Sequence, residues 1–353
     1  EMAALRAHTD RLIADRQIRN AYAAAAGDPI ITVVDFRGLL GPEFELSYDN
    51  IPSERRARVE PLYGQVILPY NNAVNRIYGV RTDTDDVTFL GTVTTTVTGY
   101  DQGGTAVTGT AKNAVNGNNQ DYWIRKVKFP VASDVDYVEA EFQVDLPGSY
   151  VTQTNMLTLH PFPLGLVDIT EIKYSSTTAD PSIDLPGFSA VNCASFQRWH
   201  YSAITTTKIK IKLRQRHFIE ENGYKVFYLG LQEVLLQLID FDKTTVPATP
   251  SNGNGILVKI DAPSGYTFNQ ITRFTSSPAY AVAGSDNGIY YRIYSDSSLT
   301  TQQWYSFSDP APQSTPLDLS SLGISSIYVL LNLEWNSNQS PVVENFALKY
   351  TVQ

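Results

Sequence analysis

At 353 residues and 42% hydrophobic, the chain is long enough for two compact domains with a small appendage, and too apolar to be disordered. Only 18% of residues are charged and the formal net charge is −9, which excludes a general nucleic-acid or anionic-membrane binder. The single cysteine excludes an internal disulfide framework.

Tyrosine reaches 21 and threonine is plentiful, and both suit pleated, half-exposed surfaces, so the composition leans toward sheet. No stretch approaches the ~18 consecutive apolar residues that cross a bilayer, so membrane insertion is not expected. Arg6, Asp10, Arg11, Asp15, Arg16 and Arg19 interrupt any signal-peptide core at the amino end. The chain starts at Glu1 and not Met, as a processed or shortened chain does.

Residues 2 to 26 predict one helix, dense in Ala and Arg, which are good helix formers. Asp15 and Arg19 stand at the favourable i,i+4 spacing, and Gly27-Asp28-Pro29 supplies the stop. Met2, Leu5, Leu12 and Ile13 make a thin apolar stripe, too narrow to hold a solitary helix in water, so the helix must dock on its own domain or on a neighbouring subunit.

From Pro29 to about residue 76, prolines 42, 52, 61 and 69 break every run. The expectation there is an ordered connector with short strands such as Ile30–Phe36 and Gln65–Leu68. Beyond Tyr78 the period changes to two. Val87–Gly99 and Tyr122–Phe129 read as strands. From Tyr137 to Leu146, residues Val138, Ala140, Phe142, Val144 and Leu146 point one way, while Glu139, Glu141, Gln143 and Asp145 form an acidic outer face. Further strands fall at Asn155–His160, Val167–Tyr174, Phe196–Tyr201 and Lys208–Arg216. Glu220-Glu221-Asn222-Gly223 makes a hairpin turn, and the apolar run Val234–Ile239 is taken as strand, not helix. Thr244–Gly255, rich in turn formers, is the best domain boundary; Ile256–Ile260, Ile271–Thr275, Gly288–Tyr294, Trp304–Ser308, Ile327–Trp335 and Val343–Val352 then spell a second sandwich.

Signals for chemistry are sparse. His8, His160, His200 and His217 show no metal-ligand spacing, and a structural role is expected for each. Cys193 has no basic neighbour in sequence and reads as a buried small residue. Glu139 and Glu141 fit a solvated strand face, and Asp83-Thr84-Asp85-Asp86 a plain acidic turn. No nucleophile elbow, phosphate loop or nucleotide fingerprint occurs. The expectation is therefore no enzyme, no cofactor, and no catalytic, cofactor-binding or metal residue.

The strongest charge signal is Lys208, Lys210, Lys212, Arg214 and Arg216 on one face of a strand. These cations either decorate an edge or solvent face, or pair with the acidic face of Tyr137–Asp145, within one sheet or across a subunit contact. Trp199, Tyr201, Trp304 and Tyr305 are the aromatics available for stacking on sugars, although aromatics in sandwich strands are usually core.

Four segments in order, Asn155-Met-Leu-Thr-Leu-His-Pro-Phe-Pro163, Val167-Asp-Ile-Thr-Glu-Ile-Lys-Tyr174, Lys208-Ile-Lys-Ile-Lys-Leu-Arg-Gln-Arg216 and Phe227-Tyr-Leu-Gly-Leu-Gln-Glu233, resemble the galactose-binding-like, discoidin-type jelly rolls of tailed-bacteriophage structural proteins. Ile327-Tyr-Val-Leu-Leu-Asn-Leu333 and Ser340-Pro-Val-Val-Glu-Asn-Phe-Ala-Leu-Lys-Tyr350 are similar to β-sandwich segments that end phage tail proteins. The resemblance spans roughly residues 77 to 353 and implies a virion component of the tail or baseplate, or of the head–tail junction.

The expected fold is all-β: an amino-terminal α-helix as assembly anchor (1–28), an irregular connector (29–76), a jelly roll (77–243) and a carboxyl-terminal β-sandwich (244–353). The expected function is a non-enzymatic virion component that contacts copies of itself and other virion proteins. The alternative is a module that recognises a host-surface glycan. Met2, Leu5, Leu12, Ile13, Lys208, Lys210, Lys212 and Arg214 are the candidate assembly contacts.

Overall fold

The computed structural model describes residues 2–36, 44–75, 80–81, 87–88, 92–98, 105–108, 111–117, 122–146, 152–241, 254–277, 288–306, 316–335 and 341–353; for some of these, including 2–13 and 303–306, the backbone alone is described. The acidic turn at Asp83–Asp86 and most of the Thr244–Gly255 boundary lie outside the described residues. The protein is nearly all β with one long helix, and the chain divides into two compact units. One combines residues 1–71 with 241–353, and the other is residues 72–240. In sequence, the second unit is inserted into the first.

The helix runs Met2–Ala26. Its end is a Schellman turn, in which the Gly27 amide donates to Ala24 O at 3.1 Å and the Asp28 amide to Ala23 O at 2.8 Å. Gly27 takes the left-handed φ of 73° that this turn requires. Arg19 Nε donates to the Asp15 carbonyl oxygen at 3.3 Å, so the arginine bonds the helix backbone there. Ala24 is buried, but Ile18 and Tyr22, one turn apart, are exposed.

The split unit is a β-sandwich. Its four-stranded sheet orders Ile30–Asp35, Asn345–Val352, Phe268–Ser277 and Leu317–Asp318, and its five-stranded sheet orders Phe44–Ser47, Asn254–Asp261, Ser326–Leu333, Ile289–Tyr294 and Gln302–Ser306. The sheets meet through aromatic rings. Phe274 lies 4.6 Å from Tyr291, centroid to centroid, and 5.5 Å from Phe346. Arg58–Glu60, Gln65–Ile67 and Val342–Val343 make a small third sheet.

This arrangement changes the part assigned to residues 29–76. Ile30–Asp35 pairs along its length with Asn345–Val352, and Phe44–Ser47 pairs with Asn254–Asp261. The stretch up to Asn71 therefore supplies strands to the same unit as the carboxyl-terminal segment, and does not connect two domains. The physical reason is the alternation of Ile30, Thr32, Val34 and Phe36, all buried, against exposed Ile31 and Val33. A strand with one buried face must complete a sheet.

The inserted unit is a sandwich of two antiparallel sheets. One has the path Gln197–Thr206, Thr152–Phe162, Tyr224–Phe241, Trp123–Pro130, Thr105–Thr108, and the other Ile183–Asp184, Val167–Ser175, Lys208–Gln215, Val138–Asp145, Thr92–Thr98. Val138, Ala140, Phe142, Val144, Ile209, Ile211 and Leu213 fill the core from one sheet, and Leu157, Leu159, Phe227, Leu229 and Leu231 from the other. Trp123 and Phe142 pack across it at 5.3 Å. Val234–Ile239 sits in the 18-residue strand Tyr224–Phe241, as the β-branched flanks require. Asn222 and Gly223 both have positive φ, 52° and 80°, which closes the predicted hairpin.

Candidate functional site

Strand direction gathers four connections at one end of the inserted sandwich. Pro130 pairs with Tyr224, Phe162 with Gly230 and Leu159 with Gln197, so these strands end toward the same side of their sheet, with Pro130 and Tyr224 reaching beyond the level of Phe162. In the facing sheet, Val138 and Val167 both pair with Gln215. The connections 131–137, 163–166 and 216–223 therefore lie at the same end, where the segment 192–196 also arrives after 185–191 has run along the edge of strand Val167–Ser175.

This loop end is unusually apolar for a surface. Half of the large hydrophobic side chains exposed among the described residues lie on it, including Tyr137, Leu164, Leu166, Phe218, Ile219 and Tyr224. Ile219 is 55% exposed and Leu164 49%, so neither is a core residue at the margin. Scattered exposed apolar residues are ordinary, whereas a concentration on one rigid end marks an interaction surface. Phe218 rests on Phe227 at 5.5 Å, with Lys225 Nζ 5.2 Å from its ring centre, so the ring is held in place.

The surface is anchored from below. Asp168, buried at the start of its strand, accepts the Cys193 backbone amide at Oδ1 (2.9 Å) and Arg216 Nε at Oδ2 (2.8 Å). One carboxylate thus fixes two loops. Cys193 itself has a left-handed φ of 49°, is exposed, and stands with Sγ 3.9 Å from His217 Nε2. The expectation of a buried cysteine without a basic neighbour is corrected: the turn places the thiol outward, beside an imidazole 24 positions away.

The cationic strand resolves in favour of pairing within its own sheet. Lys208–Gln215 is the middle strand of five, not an edge, with Val138–Asp145 on one side and Val167–Ser175 on the other. Glu139 Oε1 accepts from Arg214 Nε and Nη2 at 2.9 and 2.7 Å, Glu139 Oε2 lies 3.2 Å from Lys212 Nζ, and Lys208 Nζ lies 3.5 Å from Asp145. Partial burial works against ionising Glu139, but the bonds from Arg214 and Lys212 outweigh it and hold the carboxyl below its ordinary range. Lys210 stands between Gln143 and Lys173 in register. Lys208, Lys212 and Arg214 are thus occupied by neighbours of their own sheet.

His160 and Glu233 are Cα partners on adjacent strands, both buried, and His200 stands across the sheet opposite Met156. Burial lowers the His160 imidazole to about 4, with Arg198 adding to the effect, and lowers His200 to about 3. Burial raises the Glu233 carboxyl to about 8, against the opposing bonds from the Val234 and Gly117 amides. Of the aromatics available for sugar stacking, Tyr201 is core and Trp199 packs against the core, while the side chains of Trp304 and Tyr305 lie outside the described residues. Met2, Leu5, Leu12 and Ile13 lie along the first half of the helix, where the backbone alone is described.

No protein-family model matches the sequence, and no curated protein matches it. Among solved structures, the chain is similar to the family 32 CBM from C. perfringens NanJ in complex with galactose, at 13% identity and TM-score 0.28, over 47% of this chain and 100% of that one. It is similar to the f-lectin (fucolectin) from Morone saxatilis (striped bass) serum at 12% identity and TM-score 0.26, over 74% and 96%. It is also similar to chitosan-binding module 1 derived from the chitosanase/glucanase of Paenibacillus sp. IK-5, at 12% identity and TM-score 0.27, over 42% and 95%. The assignment of the fold rests on the strand order and register given above.

Among the described residues no group of three or more His, Cys, Asp or Glu side chains is placed to hold a metal ion, and no helix is long and apolar enough to cross a membrane. Sequence patterning missed the loop end, because its apolar residues come from stretches of the chain far apart in sequence. Only the topology brings them together.

Proposed function

We propose that this chain is a non-enzymatic structural protein that works by making protein–protein contacts, with the loop end of the inserted sandwich as a contact surface. The observation that carries this reading is the concentration of exposed Leu164, Leu166, Phe218 and Ile219 on loops fixed by a rigid sandwich and by buried Asp168. Apolar contacts on a preorganised scaffold lose little conformational entropy on binding, which suits a permanent assembly. The finer reading is a component of a tailed-bacteriophage virion, in the tail or baseplate, bound to copies of itself and to other virion proteins. It rests on the strand-pattern resemblance of residues 155–233 and 327–350.

The test is genetic complementation of a phage that lacks the chain. Wild-type protein enters purified particles, and the double substitution Leu164→Asp, Ile219→Asp does not, while keeping the wild-type melting curve. Normal incorporation of the double variant would overturn the loop end as a contact surface.

A second reading has its own observation. The rings of Tyr137, Phe218 and Tyr224 are exposed on the same end, near the exposed carboxylates of Asp134, Asp136 and Glu220. Aromatic faces beside hydrogen-bond acceptors are what a sugar ring meets in a glycan site. Specific binding on a glycan array, lost on Tyr137→Ala, would favour this reading over assembly.

A further inference from the structure

The four-stranded sheet of the split unit ends on Ile30–Asp35. Among the described residues this strand is paired on one side only, with Asn345–Val352, and its other side is a margin of the sheet. A margin presents a row of backbone groups ready to pair with another strand. The six pairs from Ile30↔Tyr350 to Asp35↔Asn345 run without a register shift, so this margin is regular. Its outward residues Ile31 and Val33 are 55% and 36% exposed, which makes it apolar as well. The carboxyl half of the helix lies elsewhere. The cleft lined by Gln17, Asn20, Ala21, Asp261 and Tyr350 places it at the end of the sandwich where the strand begins.

The other described margins carry the protections that edges need. Most are strands of two to four residues. Of the longer ones, Gln197–Thr206 and Gln302–Ser306 shift register against their neighbours, and Thr92–Thr98 has Ala111–Val115 packed beside it. Tyr70–Asn75 is interrupted by three asparagines, which are poor strand formers. Ile30–Asp35 has no bulge, proline or lysine, and its single charge stands at its end. A long, flat, apolar margin of this kind is a pairing surface.

We propose that two copies pair along this strand, antiparallel about a twofold axis, joining their four-stranded sheets into one of eight. The strand is complementary to itself in that arrangement. With Thr32 opposite Thr32 of the second copy, Ile31 meets Val33 and Ile30 meets Val34, each twice. The exposed residues then pair on the outer face, β-branched against β-branched, and the buried row continues on the other. Moving the axis to Val33 sets Asp35 against Ile31, and moving it to Ile31 sets Val33 against Pro29, so the pattern selects one register. No like charges face each other across the axis, which suits a chain of net charge −9. The contact is isologous and closes at two copies. It belongs to the split unit, so the inference stands apart from the reading of the loop end on the inserted one.

The test uses the full chain in sedimentation equilibrium and in hydrogen exchange at several concentrations. Wild type dimerises, and amides within residues 30–35 gain protection as concentration rises through the dissociation constant. The variant Ile31→Lys, Val33→Lys sets like charges opposite one another at exposed positions. It raises that constant at least ~100-fold with an unshifted melting curve. The loop variant Leu164→Asp, Ile219→Asp stays dimeric. A wild-type chain that remains monomeric up to its solubility limit overturns the inference, as does a lysine variant that dimerises like wild type. Should the lysine variant unfold, exchange in the wild type decides: protection of residues 30–35 that is independent of concentration refutes the pairing. Dimers lost only in the loop variant also refute it, and leave the loop end as the contact. A monomeric wild type leaves the loop end to the particle-incorporation test, which decides that reading separately.

Discussion

His160 and Glu233 face one another as Cα partners on neighbouring strands, and burial drives their ionisation in opposite directions, the imidazole down to about 4 and the carboxyl up to about 8. Near neutral pH the pair is therefore uncharged, as a buried site with few polar partners requires.

Together with His200, lowered to about 3 by burial, the pair predicts stability that peaks near pH 6.5 and falls on both sides. His160 is neutral in the fold, and its contribution is lost as pH drops from the ordinary imidazole value of 6.5 toward 4. Glu233 is protonated in the fold, and its contribution is lost as pH rises from 4.5 toward 8. Between 4.5 and 6.5 the slopes oppose each other. Above 6.5 only the carboxyl acts, at ~1.4 kcal/mol per pH unit, so raising the pH to 8 costs the inserted unit about 2 kcal/mol. Glu233→Gln should abolish that alkaline fall. Urea titrations at pH 6.5 and 8 decide it, and an unchanged slope in the variant would refute the assignment.

Gly230 tolerates no side chain. A Cβ there would lie 2.0 Å from the Trp123 carbonyl oxygen and 2.9 Å from Ile124 Cα, both backbone atoms that cannot swing aside. Gly230→Ala is expected to cost more than ~3 kcal/mol, in the range reserved for disrupted cores. Differential scanning calorimetry showing an unshifted transition for the inserted unit would contradict this packing.

The ion pair of Glu139 with Arg214 is half-screened, with the carboxylate side chain 14% exposed and the guanidinium 29%. A double-mutant cycle, Glu139→Gln and Arg214→Met, should give a coupling of about 0.5–1 kcal/mol at low salt. Because the folded carboxyl is held below its ordinary range, this stabilisation is present above that range and disappears as pH falls through the depressed value. Coupling that persists undiminished at pH 2 would exclude the charge as its origin.

Truncation separates the helix from the strand that follows it. Removing residues 1–28 should leave both sandwiches folded and abolish assembly. Removing residues 1–36 also takes away Ile30, Val34 and Phe36, all buried in the split unit. Three such side chains represent roughly 5–9 kcal/mol of apolar burial, as large as the stability of most domains. Limited proteolysis should therefore find the split unit protected in the first truncation and digested in the second; equal protection would show that the strand is dispensable.

Local pattern made much of this fold legible. Alternation in Val138–Asp145 and Lys208–Gln215 marked both strands, while their complementary charges left decoration of a solvent face, pairing within one sheet and a subunit contact all open; the Glu139–Arg214 pair realises the second. The helix and its glycine stop were equally plain, because capping chemistry is local. What could not be read was pairing over distance. Thr32 and Tyr350 share a hydrogen bond across 318 positions, and no periodicity within a short window reports that. The loop end was hidden for the same reason: Leu164, Phe218 and Ile219 are unremarkable until topology sets them together, and the approach of Cys193 to His217 depends on a left-handed turn that no glycine announces.

The ladder between Ile30–Asp35 and Asn345–Val352 also sets an order of events during synthesis. The amino-terminal strand leaves the ribosome early, yet its partner emerges last, roughly 300 residues and about 15–60 s later at ~5–20 residues per second. The inserted sandwich, whose strands lie wholly between, can close first. Meanwhile a half-apolar strand waits unpaired, and early termination anywhere in the final segment would leave it as an open edge for aggregation or for capture by a chaperone.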